Sequence, residues 1–442
     1  MDKTDFTEGK IISPLLRFVF PIMFAIFLQI FYGAVDMLIV GKFSDAANVS
    51  AVSTGSQLMH SVTILLTDLA LGTTVLLGIF LGQKNAKECG RVIGATIALF
   101  VSLGVAASVL FLFCAEPLSA LMNAPEEAFA LTASYVRICG AGSVFIVAYN
   151  VLGSIFRGIG NARLPLFTVA VATVFNIAGD YLMVAVFHMG ATGAAIATVV
   201  AQAISVLCSV LLVKRIGLNL SFSSSDIGFH KTLIRRIIGL GFPIALQDLL
   251  VGISFLIVLA IVNRYGVITS AGVGVAEKLC GFILLVPIAF DQGMASFVAQ
   301  NYGAGKMDRA HKALFYGISI SLACGLILGY FSFFHSVSMS SIFSDDIAVC
   351  RASGEYLKAF SFDCLLTAFL FCFIGFFNGC AKTRFVMLQG IAGAFLVRVP
   401  LAYLFSQWFD GDIFTIGLAT PASSFVQVLL CIFYFYKCKR TL

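Results

Sequence analysis

The feature that most constrains this chain is a succession of long apolar runs divided by short polar loops. Twelve runs reach or exceed the ~20 residues an α-helix needs to cross the hydrocarbon of a bilayer. Their approximate bounds are 15–41, 50–82, 92–114, 128–156, 164–187, 191–213, 237–262, 269–302, 312–334, 352–378, 384–407 and 414–436. Too few charges remain for a water-facing surface, since 60% of the 442 residues are hydrophobic and 11% are charged. The chain is therefore expected to be an all-α polytopic membrane protein. Runs two, four, eight and ten exceed what a bilayer requires, which predicts tilt or projection into water. The charged stretch over residues 1–17 leads straight into a full-length run, not into a short apolar core with a cleavage site, so no cleavable signal peptide is expected.

The short loops carry a strong charge bias. One side collects 21 of the 28 Lys and Arg, from Lys3, Lys10 and Arg17 through Lys84, Lys87 and Arg91 to Lys437, Lys439 and Arg440. The other side has only Lys42, Arg264 and Arg351, and carries acids such as Glu116, Glu126, Asp345 and Asp410. By the positive-inside rule both termini are predicted to be cytoplasmic, in a cell membrane. The bias also accounts for the net charge of +6 without a nucleic-acid partner. The twelve cysteines form no CxxC pair and read as small buried hydrophobes, with Cys89 and Cys438 expected to face the cytosol. None of the five histidines is spaced for a metal site.

A polar, Ser-rich loop (Ser221, Ser223, Ser224, Ser225) divides the runs into two sets of six. This predicts an N-terminal lobe over 1–215, a cytoplasmic linker over 216–236 and a C-terminal lobe over 237–442. A shift of 221 residues superposes Gly72 on Gly293, Gly82 on Gly303, Tyr135 on Tyr356, Phe156 on Phe377, Gly158 on Gly379 and Arg163 on Arg384. A shift of 222 superposes Pro21 on Pro243 and Val40 on Val262. A register that matches Pro, Tyr and Arg besides glycines indicates an internal repeat. Six helices per repeat makes the two halves parallel, related by a pseudo-two-fold axis along the membrane normal, with a transport pathway expected between them.

Within this frame, Asn176 and Asp180 stand at i and i+4 on the fifth helix, and Tyr32 and Asp36 do so on the first, so each pair shares a helical face. Ionisable residues at membrane depth mark pathways, proton relays or ion sites by default. At ~1.5 Å of rise per residue, Asp36 and Asp180 lie at similar depths, near the outer ends of their helices. Two desolvated acids side by side suit a proton carrier near neutral pH. With Asn176 and Tyr32 as neutral oxygen donors, they equally suit Na⁺. The alternative is a set of structural polar residues bonded across helices.

Asp68, Gln57 and Asn150 are further polar candidates for an N-lobe cavity, with Arg137 an alternative partner for Asp68. In the C-terminal half, Asp248, Glu277, Lys278, Asp291, Glu355, Lys358, Asp363 and Arg398 suggest a paired charge network that holds or gates the lobe. Glu277 and Asp291, 14 positions apart, would share a face. The Phe-rich run over 369–377 reads as core before it reads as a drug pocket. No Walker motif, nucleophile elbow or HExxH is present, so no enzyme is expected and the energy source is expected to be an ion gradient.

Several segments together resemble the multidrug and toxic compound extrusion (MATE) family. They are Val35-Asp36-Met37-Leu38-Ile39-Val40-Gly41, Phe156-Arg157-Gly158-Ile159-Gly160-Asn161, Asn176 with Asp180, Gly241-Phe242-Pro243, and Ala299-Gln300-Asn301-Tyr302-Gly303-Ala304-Gly305. The resemblance covers nearly the whole chain. It implies a twelve-helix, two-lobe antiporter that exports organic, often cationic, compounds on a proton or sodium gradient. It implies a cation site at Asp36, Asn176 and Asp180, accompanied by Tyr32 and Thr198, and no cofactor beyond the coupling ion. In other relatives, acids on helices seven and ten bind sodium; Asp248 and Asp363 stand on those helices here, with Asp248 out of the family's register. The expected partners are a small-molecule substrate and membrane lipid, and the expected functional form is a monomer. Two competing readings are a flippase of a lipid-linked precursor, which calls for a strongly cationic cavity, and a membrane-embedded enzyme, which calls for a dense His, Asp and Glu cluster.

Overall fold

The computed structural model describes residues 5–216 and 222–439. Lys3, Ser221 and Arg440 lie outside these residues, as do the side chains of Cys438 and Lys439. Regular structure among the described residues is entirely helical. Among the described residues ten helices are long and apolar enough to cross a membrane, and two bent helix pairs, each counted as one span, bring the total to twelve. The straight spans are Ile12–Phe43, Ala46–Gly82, Ala86–Leu121, Arg163–Val186, Gly190–Arg215, Lys231–Tyr265, Met307–Phe334, Ile347–Gly379, Thr383–Trp408 and Ile413–Lys437. Span four is Glu126–Ala141 with Ser143–Gly158, bent by 56°, and span eight is Val267–Ile283 with Leu285–Gly303, bent by 42°. Spans two and ten stay continuous at 37 and 33 residues, so runs two, four, eight and ten take up their extra length in two different ways.

The repeat is written into the loop geometry as well as the sequence. Spans two and eight end in the same motif, Lys84 N–H to Leu81 and Asn85 N–H to Phe80, then Gly305 N–H to Tyr302 and Lys306 N–H to Asn301. Spans four and ten end likewise, through Gly160 and Asn161 and through Ala381 and Lys382. Each is a helix C-cap in which a left-handed residue closes the last carbonyls. Lys84 and Ala381 adopt φ of 57° and 58°, a conformation their glycine counterparts Gly305 and Gly160 take up more readily.

The chain divides into two compact units. The first comprises Met1–Asp5 and Phe20–Ala245, the second Phe6–Val19 and Leu246–Leu442. The expected lobes over 1–215 and 237–442 differ from these units at both ends. Leu233 and Ile237 belong to a hydrophobic cluster of the first unit, with Leu76, Leu77, Val92 and Phe156. Phe6 is fully buried in the second unit, 5.0 Å from the rings of both Phe18 and Phe297. Cys89, expected to face the cytosol, is 1% exposed within the first unit's cluster, because the first turn of span three packs inward.

In the second unit the Phe-rich run is core. Phe373, Phe376 and Phe377 are buried and meet Phe435, Tyr434 and Phe385, with Phe385 and Tyr434 stacked at 3.7 Å.

Candidate functional site

The first unit brings the predicted residues of spans one, five and six to one locus. Asp36, Asn176 and Asp180 are 7%, 2% and 0% exposed. Gly179 is what permits the close packing of spans five and six: a Cβ there would come within 3.0 Å of the Ala197 methyl. With the two backbones this near, Asn176 Nδ2 reaches Thr198 Oγ1 at 3.4 Å, a long contact. Immediately past Asp180, residues Tyr181–Val186 widen into a π-helical turn. Such turns recur at functional sites because they re-aim the side chains around them.

The Asp36 carboxylate acts electrostatically on Asp180, which places the two acids in one neighbourhood. Among the described residues, Asp36 Oδ1, Asn176 Oδ1 and both Asp180 oxygens are buried and accept no hydrogen bond. Buried acceptors are nearly always satisfied in folded proteins, so four in one place need an explanation. Carboxylate and amide oxygens are the donor set a proton or a hard cation takes. A cavity of about 10 Å³ opens beside them, lined by Tyr32, Tyr149, Asn176, Thr198 and Gln202. That is room for about one water molecule.

Three residues of this locus escape a reading of the sequence. Tyr135 is buried on span four, within electrostatic reach of Asp36, Tyr32 and Asp180. Its ring is seated against Gly55, where any Cβ would come within 2.5 Å of the ring. Tyr149 accepts a hydrogen bond from Gln29 at 3.2 Å, and Gln202 stands one turn past Thr198. The signal for Tyr135 was its match to Tyr356, which reads equally as scaffold.

The remaining candidates fall elsewhere. Gln57 is exposed, and Asn150 Nδ2 bonds to Ile146 O of its own helix at 2.8 Å. Arg137 pairs with Glu116 at 2.5 Å and not with Asp68, which instead acts on Arg157. The C-terminal charges do not form one network. Glu355 and Lys358 make a half-exposed pair at 2.7 Å. Asp248 acts on Asp291, whereas Glu277 acts on Tyr356 and Cys280, and Lys278 is exposed. The bend at Leu284 separates Glu277 from Asp291, so 14 positions do not put them on one face.

Asp363 and Arg398 share the neighbourhood of Glu277: Asp363 and Glu277 both act on Cys280, and Glu277 and Arg398 both act on Tyr356. Asp363 and Arg398 are buried; Arg398 Nη1 donates to Ser254 Oγ at 2.9 Å, and its guanidinium lies 4.0 Å from the Phe255 ring centre. Asp363 accepts from Ser424 and lies within electrostatic reach of Arg398. Arg137 and Lys358 each hold an acid. Among the described residues no three His, Cys, Asp or Glu side chains cluster for a metal.

Fold and site together define a multi-pass helical membrane transporter made of two homologous halves. The MatE family model matches the chain twice, over residues 21–182 and 243–404. The chain belongs to this family of transporters and is not an enzyme. It is 26% identical to the probable multidrug resistance protein YpnP of Bacillus subtilis (strain 168), over all of this chain and 98% of that one. It is 22% identical to the multidrug export protein MepA of Staphylococcus saprophyticus, over 96% and 94% of the two chains. Among solved structures, an outward-facing multidrug resistance MATE family transporter of the MOP superfamily superposes with a TM-score of 0.92 at 20% identity, over 98% and 97% of the chains. A MOP superfamily transporter from Pyrococcus furiosus superposes equally well, at 0.92 and 20%.

Proposed function

We propose that this protein is a cation-coupled antiporter that exports organic, cationic or amphipathic, compounds, including drugs, by alternating access. The observation that carries the reading is the pair of buried acids, Asp36 and Asp180, with oxygens that accept no hydrogen bond. A coupling site must hold its ion in one conformer and release it in another, so its donors are left unsatisfied by the protein itself. Differential affinity of the ion and the substrate for the two conformers is then sufficient for exchange. Asn176 and Tyr32 complete an oxygen cluster that serves either H⁺ or Na⁺, and Thr198 orients Asn176. The names of the relatives YpnP and MepA support drug-like substrates.

The same reading puts the protein in the cell membrane as a monomer, with both termini cytoplasmic and no cofactor or nucleic-acid partner. It is tested in inverted vesicles with a panel of fluorescent cations at varied pH and Na⁺. Asp36→Asn and Asp180→Asn should each abolish gradient-driven efflux while the protein still inserts. Full transport by both variants would sink the assignment. Efflux that follows imposed Na⁺ and ignores ΔpH would identify Na⁺ as the coupling ion.

A further inference from the structure

The repeat exposes a second site in the first unit, far from the acids in sequence. In the second unit, the turn after span eight is followed by two cations that hold the chain entering span one. Lys306 Nζ donates to Thr7 O at 2.9 Å, and the Arg309 guanidinium donates to the carbonyls of Phe6, Glu8 and Gly9 at 3.1, 3.0 and 2.8 Å. A shift of 221 turns Lys306 and Arg309 into Asn85 and Glu88 of the first unit. Among the described residues no such cations hold the chain there. The Asp226 carbonyl instead sits directly on Gly94, and the His230 ring bonds that same carbonyl at 3.1 Å.

Where the second unit is filled by backbone oxygens, the first unit has a cavity of about 370 Å³. Arg91, Lys231 and Arg236 line it with His230, and Glu88 is its single carboxylate. Glu88 is taken by Arg91 at 2.9 Å. Among the described residues neither Lys231 nor Arg236 makes an ion pair, and Arg236 is held in position over the Phe80 ring at 5.0 Å. Among the described residues the cavity therefore presents three cations, Arg91, Lys231 and Arg236, against one carboxylate.

Its depth narrows the ligand. On the same helix, Ile238 and Phe242 form an exposed apolar stripe about two to three turns beyond Lys231, and Phe229 is 71% exposed just before it. An exposed apolar stripe marks the hydrocarbon, so the cations at its end lie at headgroup level. Basic pockets at this level on Lys- and Arg-rich membrane sides suit phosphate headgroups. We propose that this cavity binds the phosphate of an anionic phospholipid, with Lys231 and Arg236 as its principal contacts.

Purified full-length protein in detergent tests this by native mass spectrometry and thermal melting, with phosphatidylglycerol, phosphatidylcholine or inorganic phosphate added at matched ionic strength. The wild type should retain phosphatidylglycerol in preference to phosphatidylcholine and melt higher with it. The variant Lys231→Gln/Arg236→Gln should bind phosphatidylglycerol more weakly by on the order of tenfold or more. Lys382→Gln/Arg384→Gln, with the same loss of charge in the second unit, should bind as wild type. Both substituted side chains of the test variant are exposed, and unchanged melting in phosphatidylcholine checks its fold. Equal retention of phosphatidylglycerol by wild type and test variant would overturn the site. Stabilisation by inorganic phosphate alone, with none added by the lipid, would overturn the lipid assignment.

Discussion

Tyr135 and Tyr356 occupy the same place in the repeat, both buried, yet they look onto opposite chemistry. Tyr135 faces Asp36 and Asp180, two acids whose oxygens lack donors. Tyr356 sits beside Thr420 within reach of Glu277 and of Arg398, whose positive charge offsets Asp363. The repeat positions of Asp36 and Asp180 are Val258 and Leu401, and Val258 lies in an apolar cluster. Duplication thus supplied two equivalent shells: two acids lie together around Tyr135, whereas around Tyr356 the Arg398 charge offsets Asp363, with Glu277 as a further acid. A shell with unmatched acids sacrifices stability for ion exchange, and a matched one does not.

The sharpest way to break this contrast is to remove charge from each shell in turn. Asp180→Asn should reduce coupled efflux by about 100-fold or more while the melting temperature holds or rises, because two neighbouring buried acids become one. Arg398→Gln should do the reverse. It leaves Asp363 buried without the nearby positive charge that offsets it, which should lower the melting temperature. Coupled efflux per folded molecule should stay near wild type, and Asp363→Asn/Arg398→Gln should recover most of the lost stability. Melting in detergent and efflux in vesicles, measured on the same preparations, check both.

Smaller changes sharpen the same contrast. Tyr135→Phe removes a hydroxyl next to the acid pair and should lower efflux on the order of tenfold, within the range of a lost general acid–base or hydrogen-bonding group. Tyr356→Phe should stay within about twofold, since its hydroxyl bonds Thr420 and lies near the Arg398 charge, away from the paired acids. Equal effects of the two substitutions would erase the asymmetry.

The mildest test lies outside the membrane, at Asp45. The backbone N–H and side-chain amide of Asn48 hold the Asp45 carboxyl below its usual range. Asn48 Oδ1 in turn accepts from Ala191 N at 2.7 Å, tying the start of span two to that of span six. A carboxyl with a lowered folded value contributes at pH above the ordinary carboxylate range and loses that contribution as pH falls. Wild type and Asp45→Ala should therefore differ slightly in melting temperature near pH 7 and converge as pH falls through the lowered value of the folded protein.

Much of this was legible in the sequence, for identifiable reasons. Span number follows from hydrophobic length, and the pairing of Asn176 with Asp180 follows from helical period. The bends at Gly142 and Leu284 were not legible, because continuous apolar runs such as 269–302 give no sign of a break. Neither was the π turn after Asp180. Arg137 with Glu116, and the separation of Glu277 from Asp291, depend on which helices pack together, which hydropathy does not encode. Tyr135 was visible only as half of a repeat match; its seat against Gly55 is tertiary.

The division of the chain into its two units sets an order of assembly. Phe6 accepts a bond from Arg309, 303 positions further along, so the N-terminal segment has no docking place until most of the protein exists. At ~5–20 residues per second of synthesis, that wait lasts roughly 15–60 s. The first unit is likewise incomplete at residue 215, because Leu233 and Ile237 are part of its core. A nascent chain whose emerged part stops short of Ile237 would therefore leave unfinished apolar surface in the first unit.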